Sequence, residues 1–314
     1  MEKPKLYFLV GPTASGKTAL SVELALRMDA EIVSADSIQI YRGMDIGSAK
    51  PTQTEKKGIP HHMIDVADPL ERGYSVTRYR DEALRCIHAV AARGKKTFVV
   101  GGTGLYVNAL VYPLEFTAAP PNAVLRSYWN EREGEAKGSA HGRLRALDPK
   151  AANRLHPNDV KRVIRALEII EATGKTLAEL GADFTRRDDE SLPFIPVMAS
   201  LTMPRDTLYR RIETRVDEML AAGFVDEVHG LLERGVDPAS PAMQGLGYKQ
   251  IAKYLGGECA LEEAIENIRR ETRRFAKRQL TWFRREERIR WFDVAQCGDI
   301  GALLDATYDY FMEA

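Results

Sequence analysis

Apolar residues recur in this chain at two spacings. Residues 6–10, 31–34, 97–100 and 194–201 are short runs with the character of strands buried on both faces of a parallel sheet. Elsewhere they fall three and four apart. Leu20, Leu24 and Met28 do so within 19–28, and Val76, Tyr79, Ala83, Ile87 and Val90 within 75–92, where Gly94 is a stop signal. Strand, glycine-rich loop, helix and strand open the chain as the βαβ unit of a doubly wound sheet.

From about residue 120 to about residue 190 the strand runs disappear and the sequence reads as polar helix. Asn158 or Asp159 can cap a helix carrying Val160, Val163, Leu167 and Ile170, and Gly174 can end it. The charged run 186–190 reads as a linker. Beyond the strand at 194–201, helices are expected at 206–222, 225–234, 248–255 and about 261–285, then a strand at 289–294 and a helix at 300–312. The expected fold is α/β, a P-loop NTPase-like parallel sheet core with an inserted helical domain. The core takes residues 1–118 and 192–314, and the insertion takes 119–191.

The loop Gly11-Pro12-Thr13-Ala14-Ser15-Gly16-Lys17-Thr18 fits the pattern G-x-x-x-x-G-K-[ST]. Its glycines allow a tight turn that aims successive N–H groups at phosphate oxygens, and the following helix adds its positive end. Lys17 brings a charge to the terminal phosphates, and the Thr18 hydroxyl is a candidate Mg²⁺ ligand. No acidic residue of the ATPase metal-holding kind ends the strand before Gly101-Gly102. The first acidic side chain at a strand end is instead Asp36, which can serve as metal ligand, general base or helix cap.

Composition narrows the classes. The chain has 314 residues, with 45 Lys plus Arg against 45 Asp plus Glu, so a globally basic nucleic-acid coat protein is excluded while local patches are not. Cys86, Cys259 and Cys297 are widely separated and lack CxxC spacing, which argues against a zinc site or a disulfide framework. The apolar run at 6–10 is too short for a signal peptide or a membrane span, so a cytoplasmic protein is expected. His61 and His62, neighbours in an expected loop, read as structural rather than as a metal or acid–base pair. Between Arg269 and Arg290 lie ten Lys or Arg and three Glu. Arg270, Arg273, Arg274, Lys277, Arg284, Arg285 and Arg288 share one helical side, while Phe275, Gln279, Trp282 and Phe283 lie around the other. Such a stripe is either a solvated face or a phosphate track.

Taken together, residues 11–18, 36–39, 43–51, 101–106, 156–159, 245–250 and 276–282 resemble the motifs of bacterial tRNA dimethylallyltransferases, in order from about residue 5 to 294. Ser48 stands where that family commonly has Thr. The resemblance implies transfer of a dimethylallyl group from dimethylallyl pyrophosphate to N6 of the adenosine just 3′ of the anticodon. It implies Mg²⁺, a tRNA anticodon stem–loop as partner, no membrane, and a monomer. Asp36 would be the general base, and Lys17, Thr18 and Arg215 would stabilise the leaving pyrophosphate. Thr103 would position the base or the pyrophosphate. RNA contacts are implied for Asp36, Ser37, Ile38 and Gln39, for Arg126, for Lys161, Arg162, Val163, Ile164 and Arg165, and for Gly247, Tyr248 and Lys249. Arg273, Arg274, Lys277 and Arg278 would follow backbone phosphates. A P-loop kinase and a nucleotide-sensing RNA-binding protein are the competing classes; neither accounts for residues 101–106 and 276–282 as a set.

Overall fold

A computed structural model describes residues 3–71, 73–112, 122–177, 179–180 and 189–314. The chain divides into two compact units. One runs up to Val111 and resumes at Pro193; the other spans Tyr112–Leu192. The expected junction at 118/119 and most of the expected linker at 186–190 lie outside the described residues.

The larger unit is built on six parallel strands, β1 (Lys5–Val10), β2 (Ala30–Ser34), β3 (His61–His62), β4 (Lys96–Gly101), β5 (Ile195–Thr202) and β6 (Ile289–Asp293). Their spatial order is β3-β2-β4-β1-β5-β6. Parallel neighbours need crossovers that cover the sheet faces, which is why β1 and the centres of β4 and β5 are apolar runs rather than alternating patterns. Every residue of β2 is buried, and in β1 only Lys5 is exposed. The crossovers include α1 (Lys17–Met28), α2 (Gln53–Lys56) and α3 (Val76–Ala92). The α/β parallel sheet read from the sequence is the observed one.

On one face, α1 and the last helix, α13 (Ile300–Glu313), close a core around Leu9, Leu20, Leu24, Phe98 and Phe311. Phe98 and Phe311 meet edge to face at 5.1 Å. The other helices of this unit are α4 (Gly104–Val111), α9 (Arg205–Ala221), α10 (Phe224–Glu233), α11 (Tyr248–Leu255) and α12 (Leu261–Phe283). No described helix is long and apolar enough to cross a membrane.

The smaller unit contains α5 (Ala123–Glu135), α6 (Ser139–Leu147), α7 (Pro149–Arg154) and α8 (Val160–Thr173), with no strand among its described residues. Leu144, Val163, Ile164 and Leu167 form its core. Asn122 caps α5 through the Leu125 amide at 3.0 Å, and Asp148 caps α7 through Ala151 at 2.9 Å.

Three expectations change. His61 and His62 are an edge strand, not a loop, and His62 Nε2 sits 2.7 Å from the buried Glu31 carboxylate, which also accepts from Arg93 at 2.6 Å. Asp159 occupies the cap position of α8 but gives no side-chain cap bond, and pairs with Arg162 at 3.3 Å instead. Arg288 lies beyond the end of α12, almost enclosed, paired with Glu286 at 2.7 Å, so it is not part of the basic stripe.

Candidate active site at the carboxyl edge of the sheet

The strand ends fix where chemistry can sit. Val10 pairs with Gly101, and Ser34 pairs with Val100, so β1, β2 and β4 finish level. Three connections therefore leave from one edge: the loop 11–18, the turn at Asp36, and the segment Gly102–Thr103.

In the first of these, Gly16 takes a φ of +93°, the left-handed region in which glycine carries no steric cost, and caps α1 without a side-chain bond. The orphan amides of the first helical turn thus stay available to an anion. Lys17 Nζ donates to the Pro12 carbonyl at 2.5 Å. Burial, helped by the Arg215 cation and opposed by Asp36, lowers the lysine to about 7. Arg215, half-buried on α9, is likewise pushed down by burial, with Asp36 opposing. Two cations and one carboxylate thus share a partly buried space.

Asp36 closes its own turn. Its Oδ1 accepts from the amides of Ile38 at 2.8 Å and Gln39 at 3.2 Å, and Oδ2 takes no hydrogen bond from the described residues. Thr103 clasps this turn, its hydroxyl accepting from the Ser37 amide at 3.0 Å while its own amide donates to Ala35 at 3.1 Å. The approach requires Gly101, where a Cβ would lie 2.2 Å from the Ala35 carbonyl oxygen.

Two adjoining cavities open here. One of about 400 Å³ is lined by Asp36, Ser37, Thr103, Gly247, Lys249 and Arg278 among others. A smaller one of about 100 Å³ is lined by Lys17, Thr18, Gln39 and Gln279. Thr13, Asp36, Arg215 and Phe275 line both. An open groove of about 980 Å³ reaches the loop from its outer side, past Arg210 and Arg211.

Several residues expected to face RNA are engaged elsewhere. The Gln39 amide accepts from Ser34 at 3.0 Å and donates to the carbonyls of Ser48 at 3.3 Å and Ala49 at 3.2 Å, tying the 43–51 loop to β2. Tyr248 is fully buried, and its hydroxyl donates to Glu227 at 2.7 Å. That carboxylate also accepts the amides of Asp45, Ile46 and Gly47 at 2.8, 2.7 and 3.1 Å, so Tyr248 braces the loop and is no contact surface. In the helical unit Val163 and Ile164 are core residues, leaving Lys161, Arg162 and Arg165 as the reachable members of their segment. Arg126 grips Glu168 with two bonds, at 2.7 and 3.0 Å, and Arg165 adds a third at 3.1 Å. Burial pushes that carboxyl up, but these arginines and the Asn122 amide outweigh it and hold it below the ordinary glutamate range.

The basic stripe is also sorted. On α12, Arg273 pairs with Glu213 at 2.6 Å and Arg274 with Glu271 at 2.7 Å. Lys277 and Arg278 are exposed and have no acidic partner among the described residues, and Arg278 lies 5.8 Å from the Phe275 ring centroid. Sequence reasoning missed Glu227, Phe275 and Gln279 as site-building residues. The available signal was a lone glutamine on the packing face of a helix.

The chain matches the IPP transferase family model over residues 39–286. A tRNA dimethylallyltransferase of Pelotomaculum thermopropionicum is 47% identical over 302 residues, 96% of this chain and 95% of that protein. The tRNA isopentenylpyrophosphate transferase of Bacillus halodurans is 42% identical, with a TM-score of 0.74 over 99% of this chain and 96% of that one. A eukaryotic dimethylallyltransferase described as acting on tRNA superposes with a TM-score of 0.81 at 29% identity, over 99% of this chain and 80% of that one. Likeness over 96% of the chain in sequence and 99% in structure settles descent: the chain belongs to the IPP transferase family.

Proposed function

We propose that this chain transfers a dimethylallyl group from dimethylallyl pyrophosphate to N6 of the adenosine 3′ of the anticodon in tRNA. One observation carries the reading. Asp36 lines both the chamber beside Lys17 and Thr18 and the larger cavity beside Thr103, so a carboxylate borders the meeting point of a diphosphate site and a base-sized pocket.

The residues divide the chemistry between them. The bond that breaks joins carbon to oxygen, and the charge that develops belongs to pyrophosphate. The loop amides, Lys17 and Arg215 oppose that charge from partly buried positions. The adenine amine forms the new carbon–nitrogen bond and must lose a proton. Asp36 Oδ2 accepts it, while Oδ1 stays fixed by the Ile38 and Gln39 amides. Thr103 keeps the turn in place through Ser37. The adenosine has to leave the anticodon-loop stack to reach the cavity.

A magnesium ion fits this donor set. Among the described residues no group of three or more His, Cys, Asp or Glu gathers as a metal cage. Mg²⁺ keeps several waters and binds substrate phosphates, and the Thr18 hydroxyl lines the chamber as its candidate protein ligand, leaving Asp36 Oδ2 to the proton. The ion would supply charge neutralisation at the diphosphate. Three free cysteines support a cytoplasmic location.

Mass spectrometry of nucleosides from tRNA incubated with protein, dimethylallyl pyrophosphate and Mg²⁺ tests this. The expected product is one dimethylallyl group on the adenosine next to the anticodon, formed without ATP. Strict dependence on ATP hydrolysis would transfer the case to a kinase.

A further inference from the structure

We infer that Gln279 is a positioning residue which sets the spacing between the diphosphate-holding loop and the base-holding turn; the inference rests on the proposed prenyl transfer. Gln279 lies on the inward face of α12, 6% exposed. Its Oε1 accepts from the Thr13 amide at 2.9 Å, and its Nε2 donates to the Gly102 carbonyl at 2.9 Å. Both partners are backbone groups with fixed polarity, one only a donor and the other only an acceptor, so the amide has a single workable orientation. One side chain thus joins two loops that are far apart in sequence.

The two attachments lead to opposite halves of the reaction. Thr13 belongs to the phosphate loop, and its N–H, which such loops normally turn towards phosphate, is taken by Gln279 instead. The diphosphate is left to the amides nearer Lys17. Gly102 immediately precedes Thr103, which holds the Asp36 turn through Ser37. The fit is close: a Cβ on Gly102 would come within 2.1 Å of Gln279 Nε2, and one on Gly104 within 2.3 Å of Trp282. Successive turns of α12 therefore press on the same segment. Gln279 also lines the chamber shared by Lys17, Thr18 and Asp36, but its own hydrogen-bonding groups face the two loops. It aligns the donor carbon with the accepting amine without touching either.

Misplacement by about 1 Å costs on the order of 10²-fold in rate. Gln279→Ala and the volume-conserving Gln279→Met should each slow single-turnover transfer by about a hundredfold. Affinity for dimethylallyl pyrophosphate and for an anticodon stem–loop should stay within a few-fold of wild type. A misaligned acceptor also leaves the allylic carbon open to water. Water oxygen then bonds to that carbon as its bond to the pyrophosphate oxygen breaks, intact pyrophosphate leaves, and the water proton passes to solvent. The fraction of donor converted to dimethylallyl alcohol should rise, which loss of stability alone would not produce.

Gln279→Glu is the sharpest variant. It keeps an acceptor for Thr13 but sets a carboxylate oxygen against the Gly102 carbonyl, so it should lose donor affinity as well as rate. Wild-type protein is assayed alongside: if it fails to prenylate, the functional reading fails before Gln279 is at issue. With active wild type, the inference is overturned if Gln279→Met transfers within threefold of wild type. It is also overturned if, in the alanine and methionine variants, the loss of rate equals the loss of donor affinity, or if neither of them melts cooperatively.

Discussion

Polar groups at the sheet edge are held by backbone, whereas those on the outer faces of α8 and α12 are held by one another. Asp36 is pinned by two amides, Thr103 by Ser37, and Gln279 by one amide and one carbonyl. Arg273 and Arg274 instead lean on Glu213 and Glu271, and Arg162 on Asp159. A backbone partner is fixed by strand register. An exposed ion pair contributes about 0–1 kcal/mol and exchanges readily for another anion. Under the proposed function, the first region is ready before substrate arrives, while the second trades its own carboxylates for RNA phosphates.

The largest effect should come from the fixed region. Asp36→Ala should lower the single-turnover rate by about 10²–10⁴, with donor affinity little changed because the loop and Lys17 hold the diphosphate. Thermal melts of the same samples separate this from lost capping, which costs about 1 kcal/mol. Near-normal turnover would remove Asp36 as the base, and a loss confined to donor affinity would make it a metal ligand.

A smaller effect concerns Lys17. Its folded value of about 7 lies below the ordinary 10.5, so the unfolded chain binds more protons across that window and stability should rise with pH through it. Donor binding has the opposite dependence. A diphosphate favours the ammonium, so affinity should fall above about pH 7, by up to about tenfold per unit. Calorimetry between about pH 6 and 9 checks this. Lys17→Arg should flatten the profile, since guanidinium stays charged, and a flat wild-type profile would show that Lys17 does not titrate on binding.

The smallest effects belong to the exchangeable region. Replacing Lys277 and Arg278 together with Ala should reduce the slope of log affinity for tRNA against log salt by roughly 1.4–1.8. Arg273→Ala should change it less, because Glu213 already occupies that guanidinium. Equal effects would mean that the ion pairs open freely on binding, and no effect from either would make α12 a solvated face.

The same division governed what could be read from the sequence. The loop 11–18 and Asp36 are legible because strand-edge geometry dictates residue type at consecutive positions. Helix α4 is not, since residues 104–111 are apolar nearly throughout and show no amphipathic period. Nor is β3, two histidines long, which pairs only through tertiary placement. Treating residues 161–165 as one contact segment overlooked that Val163 and Ile164 are buried in the core of their unit, whereas Lys161 and Arg162 are exposed. The grip of Arg126 on Glu168 crosses between helices and leaves no trace in local spacing. Gln279 was visible as part of a motif, but its two partners are not, because neither is a side chain.

The level finish of β2, β4 and β1 turns the sheet into a ruler. Asp36 leaves one strand end and the phosphate loop leaves another, with β4 between them. Their roots are thus separated by two hydrogen-bonded strand spacings, about 10 Å. Backbone hydrogen bonds set the spacing of the roots, and Gln279 acts only on the loops beyond them, so replacement of surface residues should not stretch it. Inserting one residue into β4 would keep that width but move Gly101 and Thr103 out of step with the graduations on either side.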